Sequence, residues 1–82
     1  MAHLVFVSSN KITTLEGKPL TKSQIVYYIN FLRHNYISAS TLTKTEAVSM
    51  LYISLKNPEF KWRAEIANLT FKVLSSYIFV PL

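Results

Sequence analysis

The chain is expected to fold as one α+β domain spanning residues 1–82, and three observations lead there. A doubled phrase, Leu20-Thr21-Lys22-Ser23-Gln24 and then Leu42-Thr43-Lys44-Thr45-Glu46, opens two stretches of helical periodicity. Short β-branched and aromatic runs precede the first of these stretches. After Pro58 the apolar pattern shifts to alternation, as in strands. A chain of 82 residues buries only roughly 60–65% of its unfolded surface, so one core is all it can build.

Taken in order, His3 to Val7 reads as a first strand and Ser8-Ser9-Asn10 as a turn, because these side chains bond to their own backbone. Lys11 to Leu15 alternates and stops at Glu16-Gly17-Lys18-Pro19, where glycine permits positive φ and proline blocks continuation. A hairpin follows. In each copy of the doubled phrase the threonine accepts a backbone N–H three residues on, and Gln24 or Glu46 reaches back, which is a capping box. The first helix should cover Lys22 to about Asn35, with Ile25, Tyr28, Ile29, Leu32 and Tyr36 on one face. Val26, Tyr27 and Phe31 lie off that stripe, so this helix is covered on two sides, as a central element or in a dimer.

Tyr36 to Ser40 is expected as an extended connection. The second helix should run from Lys44 to Lys56 and bury Val48, Leu51, Tyr52 and Leu55 until Asn57-Pro58 ends it. Beyond, Phe60, Trp62, Ala64 and Ile66 alternate with polar residues, and Ala67, Leu69, Phe71 and Val73 alternate in shifted phase. This predicts C-terminal antiparallel strands or one bulged strand. Helical spacing of Trp62, Ile66, Leu69 and Val73 keeps a helix over 59–76 in play. Ser75-Ser76 would then turn the chain into a last strand from Tyr77 to Val80.

Half the residues are hydrophobic, 13% are aromatic and only 16% charged, against roughly 25% charged in ordinary soluble domains. That surplus of apolar surface is expected to cover a partner or a second copy, hence a homodimer. Nine Lys and Arg against four acids, with a net charge of +5, suit an anionic partner. No cysteine is present, which removes disulfides, thiolate nucleophiles and the common cysteine-bearing zinc sites, and suggests an intracellular, reducing compartment. No apolar run approaches the ~20 residues that span a bilayer, so no membrane association is expected. The Asn68-Leu69-Thr70 sequon has no meaning in such a compartment.

Catalysis needs groups placed to move protons or attack, and His3, His34 and four scattered glutamates do not supply them. His34 near the end of the first helix reads as a cap on the helix dipole. Without a glycine-rich loop or any Asp, no phosphate cradle, metal site or cofactor is expected.

What remains is a non-enzymatic regulator that binds nucleic acid. If the two helices form a helix-turn-helix, the second presents Lys44, Thr45, Ser49 and Lys56, and Lys61 and Arg63 on the next strand act as a wing. Lys22 and Arg33 would extend the phosphate patch. The order of elements is winged-helix-like, although the connection exceeds the usual 3–4-residue turn and no Arg, Asn or Gln on the second helix reads base edges. Residues Lys44 to Leu51 resemble the second helix of the SAP domain, which implies DNA binding, but the glycine expected between the helices is missing and the first helix is longer. Phe60, Trp62 and Phe71 could stack RNA bases on a sheet, or simply be core. The alternative is a protein-binding inhibitor or adaptor, of the kind phages and viruses use, anchored by Tyr27, Phe31, Tyr52 and Trp62.

Overall fold

A computed structural model describes residues 2–74 of the chain. The turn and final strand expected over Ser75–Val80 lie outside the described residues. Strands β1 (Ala2–Ser8) and β2 (Lys11–Thr14) form the expected hairpin, antiparallel with Phe6 opposite Ile12. The register slips between Phe6 and Ser8, and the Ser8 hydroxyl donates to Asn10 Oδ1 at 2.9 Å within the turn. After β2 the chain doubles back at Gly17, whose φ of 93° is open to glycine, so that the Leu20 N–H reaches Ile12 O at 2.8 Å.

Helices α1 (Lys22–Arg33) and α2 (Lys44–Lys56) begin where the doubled phrase predicts. Both capping boxes are closed: the Thr21 N–H donates to Gln24 Oε1 at 2.9 Å, and the Thr43 N–H to Glu46 Oε1 at 2.8 Å. Each threonine hydroxyl accepts the matching backbone N–H at 3.2 Å. The α1 helix ends sooner than expected, because His34 turns left-handed at φ 57° and its N–H returns to Asn30 O. His34 thus closes the helix by its backbone. Tyr36, expected on the buried stripe, lies beyond the helix and is 96% exposed.

Like ends of the two helices meet. Lys22 Nζ at the start of α1 donates to Leu42 O just before α2, at 3.0 Å, while Arg33 Nε at the end of α1 donates to Ser54 Oγ near the end of α2, at 2.7 Å. The helices therefore run side by side in the same direction. The connection has to travel back the length of α1, about 18 Å at 1.5 Å per residue. Asn30 clamps it, donating Nδ2 to Ile37 O and accepting the Ile37 N–H on Oδ1, both at 2.9 Å. A turn of residues 39–41 then leads into α2. The helix-turn-helix expectation is corrected here, since parallel neighbours need a long return where that motif needs a tight turn.

The α+β layout stands, but its last third is built otherwise than by an antiparallel strand pair. Pro58 opens a 3-10 turn capped by the Asn57 side chain, α3 (Lys61–Ile66) follows, and β3 (Leu69–Val73) pairs with β1 in parallel, giving strand order β2-β1-β3. Phe60, Arg63, Ala64 and Ala67 are the half-buried positions, at i, i+3, i+4 and i+7, which is a helical stripe. Two small alanines and an arginine hid that stripe from a hydrophobic count. Asn68, left-handed at φ 55°, ends the helical segment and admits β3. Among the described residues no C-terminal hairpin exists to serve as a wing.

The core lies between the sheet and the helices. Leu4, Phe6 and Ile12 face Ile25, Ile29, Leu32, Val48 and Leu51, all nearly or fully buried. The rings of Phe6, Tyr52 and Phe71 meet edge-on at 5.6 to 6.2 Å, so Tyr52 and Phe71 seat β3 on α2. His3 Nδ1 and the Thr70 hydroxyl, 2.8 Å apart, tie β3 to β1.

Candidate nucleic-acid interface

The polar residues predicted to hold phosphate scatter over the fold. Ser49 is corrected: it is only 5% exposed, so its hydroxyl is not open to a phosphate. Thr45 and Lys56 are exposed and Lys44 is half-buried at the start of α2, with the Lys44 ammonium making no hydrogen bond among the described residues. Lys56 and Lys61 flank a cleft of about 540 Å3 floored by Leu55, Leu69 and Phe71. Lys61 and Arg63 lie on α3, not on a strand.

The remaining three cations hold the structure together. Lys22 is spent on the Leu42 carbonyl. Arg33 stacks on Phe60 with its guanidinium carbon 5.3 Å from the ring centre, and its Nε is bonded to Ser54. Arg63 donates Nε to Phe31 O at 2.8 Å and lies between two rings, 4.9 Å from Phe31 and 5.2 Å from Trp62. Stacks of this kind contribute about 0.5–2 kcal/mol each. Arg63 thus fastens α3 to the C-terminal half of α1, and Arg33 fastens the end of α1 to α2 and to the turn at Phe60. In each case Nε is the bonded nitrogen, and the outer nitrogens have no hydrogen-bond partner among the described residues.

The predicted anchor residues divide as cleanly. Tyr52 is corrected: it is half-buried and packs against the core, with its ring edge-on to Phe6 and Phe71. Phe31 is half-buried beneath Arg63. Tyr27 is 66% and Trp62 55% exposed, and Tyr36 joins them.

These exposed rings line one strip. Along α1 and onto α3 run three shallow depressions: the first is bordered by Gln24 and Tyr27, the second by Tyr27, Phe31, Tyr36 and Arg63, the third by Arg63, Trp62, Phe60 and Arg33. Tyr27 divides the first two and Arg63 the last two. Volumes of about 310, 250 and 400 Å3 leave each at or below the small end of an enclosed ligand site, so the strip suits an elongated occupant lying across all three. The sequence assigns Tyr27 and Phe31 to a protein, Trp62 to a protein or to stacked RNA bases, and Arg33 and Arg63 to phosphates, whereas the fold puts them side by side. Tyr36 was missed because the helix was carried past His34. The dipeptide His34-Asn35, with residue types that tolerate left-handed φ, was the available stop signal.

Charge across the described residues is unbalanced. None of the nine lysines and arginines is paired with a carboxylate among the described residues. Glu46 is occupied by its cap, where the Thr43 backbone N–H and then its hydroxyl hold the carboxyl below the ordinary 4.5. No group of three His, Asp or Glu side chains able to hold a metal ion occurs among the described residues. None of the described helices is long and apolar enough to cross a membrane. Comparison with protein-family models, curated proteins and solved structures finds no match.

Proposed function

We propose that this chain is a non-enzymatic nucleic-acid-binding protein, a small regulator that works through the strip along α1 and α3 rather than through α2. The observation that carries the reading is the alternation of exposed rings with two guanidinium groups whose outer nitrogens are unbonded among the described residues. Aromatic faces take bases and guanidinium groups take phosphates, so the same strip engages both parts of a nucleotide chain. Lys61 at the start of α3 and Lys56 beyond it add to the positive field.

The test is binding of labelled oligonucleotides across a range of salt. With two to four phosphates contacted, log affinity should fall against log salt with a slope of roughly −1.4 to −3.6, at about −0.7 to −0.9 per phosphate. A variant carrying Tyr27→Ala, Tyr36→Ala and Trp62→Ala removes only exposed rings and should fold while losing most of its affinity. Wild-type affinity in that variant would sink the assignment.

A protein partner on the same strip is the second reading. It is favoured by Ile66, 69% exposed one turn after Trp62, because an aliphatic neighbour suits a protein surface better than a base. Self-association through this face would bring Arg63 close to its own copy, which argues for a heterologous partner over the homodimer.

A further inference from the structure

We infer, building on the nucleic-acid reading above, that the occupant of the α1–α3 strip is a single strand of about three to five nucleotides, with bases stacked on Tyr27, Tyr36 and Trp62 and phosphates held by Arg33 and Arg63. A duplex offers base edges in its grooves and keeps base faces inside its own stack, so exposed rings gain little from it. A single strand splays its bases and presents faces to whatever ring is free. The exposed large apolar side chains bordering the depressions are rings, and the polar groups among them are the guanidinium groups of Arg33 and Arg63, amides, the Ser23 hydroxyl, the His34 imidazole and one carboxylate, Glu59, so the two cations outnumber the single acid along the strip.

The shape agrees. Groove reading calls for a helix that stands proud of the surface, whereas α1 lies beside a parallel α2 and is overlapped at its end by α3. From Ser23 to His34 the strip follows α1 for about 16 Å at 1.5 Å per residue, then continues across α3. That length takes a few splayed nucleotides and no more.

The arginines are also prepared. Each is fixed at Nε by a protein acceptor and held over a ring, so its outer nitrogens start from a set position and lose little freedom on meeting a phosphate. Arg63 lies over Trp62, and the residue is still 55% exposed. The net charge of +5, with no carboxylate pairing any Lys or Arg among the described residues, complements such a strand.

Trp62 is the only tryptophan in the chain, so its fluorescence reports directly on the strip. The intact protein is titrated with oligothymidylates of about two to ten nucleotides and with a hairpin duplex, following both Trp62 emission and the anisotropy of labelled oligomers. The single strands should quench Trp62, with affinity rising to about three to five nucleotides and then levelling, while the duplex binds more weakly and leaves emission unchanged. Trp62→Phe should bind within a few-fold of wild type, and Trp62→Ala about 5- to 100-fold more weakly. Circular dichroism confirms that both variants fold. Duplex binding as tight as single-strand binding, or single-strand binding without change in Trp62 emission, overturns this inference and leaves the nucleic-acid reading standing. No binding of either form overturns the nucleic-acid reading itself and assigns the strip to a protein partner.

Discussion

Replacing Asn30 by alanine tests the arrangement on which the strip depends. Its side chain makes two hydrogen bonds of 2.9 Å to the backbone of Ile37, one given and one received, in partly buried surroundings. A net 0.5–1.5 kcal/mol for each gives about 1–3 kcal/mol lost, and the better helix propensity of alanine returns roughly 0.5 kcal/mol. The expected cost is about 0.5–2.5 kcal/mol, or a fall in Tm of about 2–20 °C for a domain of this size. Urea and thermal unfolding followed by far-UV circular dichroism measure it. Asn30→Asp supplies the internal check, since it keeps the acceptor for the Ile37 N–H but turns a carboxylate oxygen toward Ile37 O, and should be at least as damaging. A Tm for Asn30→Ala within about 2 °C of wild type, or wild-type behaviour of Asn30→Asp, would refute the clamp and with it the account of how the chain returns along α1. Tyr36 precedes Ile37, so loosening the clamp should also weaken oligonucleotide binding beyond the effect on stability.

Two further outcomes follow from the same contacts. Ser54→Ala leaves Arg33 Nε without its 2.7 Å acceptor and should cost about 1–2 kcal/mol in urea unfolding, while Ser49→Ala, at a buried serine that makes no bridge between helices, should cost little. Equal effects of the two would contradict the bridging role of Ser54. The Glu46 carboxyl has its pKa lowered on folding by the Thr43 cap, so its contribution is present above the ordinary 4.5 and is lost as pH falls through the lowered folded value. Stability measured from neutral pH downward should therefore drop less in Glu46→Gln, which keeps the cap as Gln24 does in α1, and an identical pH profile would refute the linkage.

Much of the fold was legible because its signals are local. Thr21 with Gln24 and Thr43 with Glu46 set both helix starts within three residues of chain, and Ser8 to Asn10 turned the hairpin without distant help. The candidate site was legible only as residue types, since Arg63, Tyr27 and Trp62 were named as binding residues but given to separate surfaces. Residues 60–67 were misread because half of their half-buried stripe is alanine, and because Arg63 places its guanidinium over Phe31, a ring 32 residues away in the sequence.

The amino-acid sequence by itself determined the hairpin, two helix starts, the single α2 span, and a basic, aromatic-rich composition. Tertiary structure decided that β3 lies parallel to β1, that α1 and α2 run the same way, and which cations are spent inside the molecule. Those decisions rest on contacts between residues distant in sequence, such as Lys22 with Leu42, Arg33 with Ser54 and Arg63 with Phe31. Capping and turn energies act over three or four residues of chain, whereas these pairings form only when the whole core closes, and no periodicity along the chain encodes them.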